Sequence, residues 1–123
     1  MPTVPKNSIE KYRQFSQKLA NPQVLTELRN LFERKYTLPE LLEWLHNKVR
    51  WTKGNIKRHN DPKQILAYGK GKCGEFSILF TALCLAHNYR ARLVLDMSDH
   101  IWTEVWNKKG RRWIHVDPSE KRI

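Results

Sequence analysis

The stretch CGEFSILFTALCLAH, Cys73 to His87, decides the fold of this chain. Phe76, Leu79, Phe80, Leu83, Cys84 and His87 recur at helical spacing, and the segment is apolar around most of its circumference. A helix without a polar face has to be covered on every side, so this one is expected at the centre of the molecule. Asn88 is placed to end it. Just upstream, Gly69-Lys70-Gly71-Lys72 interrupts any helix that precedes it, which puts Cys73 at a loop-to-helix junction.

The residues before this segment read as helices that could supply the cover. Asn7 or Ser8 caps a segment with Ile9, Tyr12, Phe15 and Leu19 along one face. Asn21-Pro22 is a cap followed by proline at the first helical position, leading Val24, Leu25, Leu28, Leu31 and Phe32. Thr37, Pro39 and Glu40 open a third helix whose stripe is Leu41, Leu42, Leu45 and Val49, with Gly54 and Asn55 expected to end it. Asp61-Pro62 starts a short helix through Ile65, Leu66 and Tyr68.

Beyond Asn88 the period changes to that of strands. Ala91 to Asp96, His100 to Trp106 and Arg111 to Val116 are rich in β-branched and aromatic residues, and Asn107-Lys108-Lys109-Gly110 is a hairpin turn with glycine last. Three antiparallel strands against a buried helix, with earlier helices around them, is an α+β arrangement. The reading is one domain over residues 1–123, mainly helical over 1–60 and with its chemistry in 61–123. A chain of 123 residues with 40% hydrophobic content can bury one real core and not two.

Composition narrows the classes. No apolar run approaches the roughly 20 residues of a membrane span, and the first residues carry no apolar signal core, so a cytoplasmic setting is expected. Two cysteines make no disulfide framework. Cys84 and His87 are two metal-type side chains without a second pair, so no metal site and no cofactor are expected. The net charge of +11 suits acidic partners, nucleic acid among them, and equally a solvated basic surface. The oligomeric state is not legible.

Three residues carry chemistry: Cys73, His100 and Asp117, in the order of a thiol nucleophile, its base and the residue that orients the base. A helix amino terminus favours thiolate over thiol, and Lys70 and Lys72 add positive charge. Gly71 and Gly74 leave the backbone open to a substrate carbonyl, toward which the Cys73 N–H can donate. His100 starts one strand and Asp117 ends the next, so the hairpin brings them together. Trp113, His115 and Asp117 share one face of the sheet, as do His100, Trp102, Glu104 and Trp106. Cys84 reads as a structural thiol, and His87 as closing the carboxyl end of its helix. His115 reads as packed, His46 and His59 as exposed in polar surroundings. Trp102, Trp106 and Trp113 read as core or cleft walls. Glu104 and Glu120 are either substrate contacts or partners of basic residues.

Three motifs, Gly71 to Glu75, Asp99 to Val105 and Asp117 to Glu120, resemble the transglutaminase-like superfamily, and within it the catalytic core of cytoplasmic peptide:N-glycanases. The resemblance runs from about Leu41 to Glu120 and takes in Leu41-Leu42-Glu43-Trp44-Leu45 and Trp51. It implies attack by Cys73 on an amide carbonyl, a thioester intermediate, and transfer to water or an amine, on a peptide, protein or glycopeptide. It also implies Trp51 as a second oxyanion donor. N-glycanases similar to this chain carry Cys-x-x-Cys zinc motifs between the first helices and the nucleophile, whereas Trp51 to Lys72 has no cysteine. The same superfamily includes damage-recognition proteins of DNA repair, whose related domain binds without an intact triad. A non-catalytic basic module for nucleic acid or protein is therefore the alternative expectation.

Overall fold

In the computed structural model, which describes Leu19, residues 21–96 and residues 100–121, the Cys73 segment is the central helix. Around it lie α1 (Pro22–Arg29), α2 (Leu38–Lys48) and α3 (Pro62–Tyr68), the short strands β1 (Arg50–Trp51) and β2 (Lys70–Gly71), and the sheet β3 (Ala91–Leu95), β4 (Ile101–Asn107), β5 (Arg112–Val116). The central helix, α4, runs Cys73–Ala86, and Pro118–Glu120 forms a 3-10 turn after β5. Among the described residues this is the expected α+β fold, with helices on one side of α4 and a small antiparallel sheet on the other. No helix among them is long and apolar enough to cross a membrane.

The local signals act as expected. Asn21 Oδ1 accepts the N–H groups of Gln23 and Val24, and Asp61 Oδ1 those of Lys63 and Gln64, ahead of prolines at the first helical turn. Thr37 and Glu40 form a reciprocal capping box. Gly69, at φ 74, ends α3 in the left-handed conformation. Phe76, Leu79, Phe80, Leu83 and Cys84 are all fully buried, in one core with Leu28, Leu41, Leu45, Val49, Ile65, Leu93, Val105 and Val116.

The sheet has the order β3-β4-β5 and is antiparallel throughout. Glu104 pairs with His115 and Trp106 with Trp113, so the alternation read from the sequence holds. Thr103 and Val105 point at α4; Thr103 Oγ1 lies 2.8 Å from the Thr81 hydroxyl, and Thr81 in turn donates to Ser77 O at 2.7 Å. These bonds satisfy hydroxyls that are buried with the core.

Several boundaries differ from the sequence reading. The third expected helix stops at Lys48 rather than near Gly54, because Arg50 and Trp51 leave it to pair in parallel with Lys70 and Gly71. The helix from Pro22 ends at Arg29, which leaves Leu31 beyond it and 53% exposed. In the hairpin the left-handed backbone falls on Arg111, φ 51, and not on Gly110. The segment expected from Asn7 to Leu19 lies outside the described residues except for Leu19, which is buried.

Candidate active site

Cys73 opens α4, half-buried. The first four N–H groups of a helix have no acceptor within it. Here they belong to Lys72, Cys73, Gly74 and Glu75, since Phe76 N–H is the first to reach back, to Lys72 O. Glu75 returns its carboxylate to the Lys72 N–H at 2.8 Å and takes Arg58 Nε at 2.8 Å on its other oxygen. The N–H groups of Cys73 and Gly74 are left at the helix start, where a carbonyl oxygen over Cys73 would meet them.

One glycine beside the thiol has a different role from the one expected. A Cβ on Gly71 would fall 2.6 Å from Glu75 Cβ, so this glycine lets the incoming strand press against the first turn of α4. A Cβ on Gly74 would meet only the Arg58 guanidinium, at an ordinary contact distance of 3.5 Å. Gly71 thus brings the chain close to itself rather than clearing room for a substrate.

His100 lies one residue before β4 and Asp117 one residue after β5. His100 Nε2 is 4.0 Å from Asp117 Oδ2, with the histidine side chain 42% exposed and the aspartate 15%. The other carboxylate oxygen of Asp117 accepts the Ser119 hydroxyl at 2.9 Å, a contact that the sequence reading missed. The His100 N–H donates to Asp96 Oδ1, and the His100 carbonyl accepts the Asp96 N–H. One face of the His100 ring stacks on Trp102, centroids 5.3 Å apart, and Trp102 stacks in turn on His115 at 5.2 Å. Trp102 therefore supports the His100 ring. His115 is exposed on the sheet face rather than packed inside.

One hydrogen bond ties the Cys73 helix to the strand that follows His100. Ser77 Oγ donates to Ile101 O at 3.1 Å. Ser77 is one helical turn after Cys73 on the same face, and Ile101 follows His100. Cys73 and His100 thus occupy the same end of the α4–β4 contact.

The remaining candidates separate. Trp51 pairs with Gly71 in the parallel ladder and is 45% exposed, which places it two residues upstream of the thiol across one rung. Glu104 pairs with Arg92 across the β3–β4 rung, at 2.6 Å, as partner of a basic residue. Glu120 ends the 3-10 turn, exposed. Trp106 and Trp113 meet edge to face on the open side of the sheet, with the Arg92 guanidinium 3.8 Å from the Trp113 ring; they are not part of the core. A cleft of about 400 Å³ lined by Lys35, Arg90, Trp106 and Lys108 lies at that far end of the hairpin.

Two histidines differ from expectation. His46 is part-buried, its ring on Phe76 with centroids 4.9 Å apart, and its Nε2 lies 2.6 Å from Pro118 O. His59 is also part-buried, against Tyr68. His87 closes α4 as expected, with Nδ1 2.9 Å from Leu83 O. Cys84 is fully buried, and burial drives its thiol far above the usual range.

With this fold and this arrangement, the chain belongs to the transglutaminase-like superfamily, whose family model matches residues 18–118. Its sequence is similar to peptide-N(4)-(N-acetyl-beta-glucosaminyl)asparagine amidases. The Drosophila melanogaster protein is 52% identical over 66 residues, which is 54% of this chain and 10% of that protein. The Oryza sativa subsp. japonica protein is 48% identical over 63 residues, 51% of this chain and 14% of that one. The chain therefore corresponds to a small part of these relatives. Among solved structures, a chain of Rad4-Rad23 bound to a 6-4 photoproduct UV lesion superposes with a TM-score of 0.67 at 17% identity, covering 94% of this chain and 38% of that one. The periplasmic domain of TgpA from Pseudomonas aeruginosa gives 0.59 at 20% identity, covering 89% and 48%. At such identities the likeness is one of fold.

Proposed function

We propose that the chain carries the catalytic core of a thiol amidase of the peptide:N-glycanase type. The observation that carries the reading is the approach of His100 Nε2 to Asp117 Oδ2 at the end of the sheet to which the Ser77–Ile101 bond ties the Cys73 helix. Support comes from the similarity to the asparagine amidases over about half of the chain.

In this reading the Cys73 sulfur attacks the carbon of a side-chain amide, with its proton passing to His100. The carbonyl oxygen, now carrying the charge, is met by the N–H groups of Cys73 and Gly74, with Trp51 on the neighbouring strand as a further donor. As the tetrahedral species collapses the C–N bond breaks, and His100 gives its proton to the departing nitrogen. Water then adds to the thioester while His100 takes a proton from it. The C–S bond breaks, leaving a carboxylic acid and the free thiol. Asp117 holds the His100 ring and favours the imidazolium that forms twice in each cycle. Trp102 fixes the plane of the ring. A glycosylated asparagine is the substrate class that the relatives suggest.

The test is incubation with asparagine-linked glycopeptides, unglycosylated peptides and glutamine amides, followed by mass spectrometry. Conversion of the linking asparagine to aspartate, abolished in Cys73→Ala, is expected. Equal traces of conversion in both proteins would sink the reading. The net charge of +11 supports a second reading, a basic module for nucleic acid. Duplex DNA binding that weakens steeply with salt and is untouched by Cys73→Ala, together with no turnover, is what that reading requires.

A further inference from the structure

His46 lies on α2, away from the three segments that carry the triad, yet it touches two of them. Its ring packs on Phe76, three residues after Cys73, and its Nε2 is 2.6 Å from the carbonyl of Pro118, the residue after Asp117. A carbonyl only accepts, so Nε2 carries the proton, in the neutral Nε2–H tautomer and in the cation alike.

The Asp117 backbone is suspended between two fixed points. Val116 before it is fully buried and pairs with Thr103 in the sheet. Pro118 after it is buried, with its carbonyl held by His46. The carboxylate in between stands 4.0 Å from His100 Nε2, beyond hydrogen-bond reach by roughly 1 Å. Displacements of about 1 Å at a reacting centre change rates by about 10²-fold. The Pro118 carbonyl is the held point nearest this gap.

We propose that His46 is a positioning residue of the site: its hydrogen bond to the Pro118 carbonyl sets the reach of Asp117 toward His100. This rests on the triad reading given above. His46 contributes no atom to the reaction and acts through Asp117.

The test is a double-mutant cycle on glycopeptide turnover, with His46→Phe, His46→Gln, Asp117→Asn and the His46→Phe/Asp117→Asn double variant. Phenylalanine keeps a ring on Phe76 and removes the donor; glutamine returns an N–H near the place of Nε2. His46→Phe is expected to lower kcat by between about 10- and 100-fold with KM within about twofold. Glutamine is expected to restore most of the loss. In the Asp117→Asn background the His46→Phe change is expected to have no further effect, the non-additivity of two residues acting through one contact. Equal losses in both backgrounds, a change in KM alone, or wild-type kcat in His46→Phe would overturn the proposal.

Absence of turnover in the wild type would instead count against the amidase reading, and the cycle is then read from the ring-proton NMR resonances of His100. His46→Phe is expected to move them in the direction that Asp117→Asn moves them, with no further movement in the double variant. Unmoved His100 resonances in a folded His46→Phe protein would overturn the positioning role.

Discussion

Gly71 and Glu75 stand so close that a methyl group on Gly71 would lie 2.6 Å from the Glu75 Cβ. The neighbour cannot give way cheaply, because the Glu75 carboxylate is anchored at both oxygens, on the Lys72 N–H and on Arg58. Gly71→Ala is therefore expected to destabilise the fold by about 1–3 kcal/mol, as overpacking does. Gly110→Ala, with its nearest contacts at 3.6 Å, is expected to stay within about 0.5 kcal/mol. Urea unfolding of the two variants against the parent measures the contrast, and similar midpoints for both would refute the role given to Gly71.

Asp117→Asn keeps the shape of the side chain and its contact with the Ser119 hydroxyl, while removing the charge opposite His100. An unchanged melting temperature is expected, with glycopeptide turnover lowered by about 10²–10⁴-fold. Full activity in this variant would show that another group orients the base.

The two thiols are expected to differ in reactivity. Cys73 is half-buried at a helix start, whereas Cys84 has no exposed surface and its thiol is pushed far up by burial. Iodoacetamide followed by peptide mapping should modify Cys73 in the native protein and Cys84 only after unfolding. Equal, slow labelling of both would count against a nucleophilic Cys73.

His87 gives the fold a pH dependence of its own. Burial holds its pKa below the usual value of 6.5, against a smaller opposing effect of the Leu83 carbonyl. With Nδ1–H donating to that carbonyl, Nε2 is buried without a partner, so a proton there would have no acceptor. The folded state thus stays neutral where the unfolded chain takes up a proton. This contribution to stability is full above pH about 6.5 and is lost as pH falls below it. In His87→Phe, which keeps an aromatic ring against Phe32, denaturation midpoints between pH 7 and 5 should vary less than in the parent. Identical pH profiles would contradict this assignment.

Much of this could be read from the chain because the signals were local. The caps at Asn21, Thr37 and Asp61 and the all-apolar Cys73 segment each specify their own element, and strand parity alone grouped Trp102 with Glu104 and Trp113 with His115. What was not legible came from contacts between distant segments. The rung between Trp51 and Gly71 spans only two residues on each side, too short for a strand pattern, and it cut the expected third helix short. The part-buried setting of His46 depends on a carbonyl 72 residues away, and no spacing rule reports that. The close packing of Gly71 on Glu75 looked from the sequence like open backbone, because a glycine signals freedom without saying what uses it.

The same short ladder makes the region between it and α3 a natural port for added sequence. Thr52 is fixed at one end by its N–H on Gly71 O, and Asp61 at the other by capping α3. Residues 53–60 between them hold no helix or strand, and nothing lies within 4 Å of a Cβ built at Gly54. Loop-closure cost rises only with the logarithm of length, so a graft here would be inexpensive as long as Arg58 or an equivalent still reaches Glu75. The chain can thus lengthen at this loop without redesigning the helix that carries Cys73.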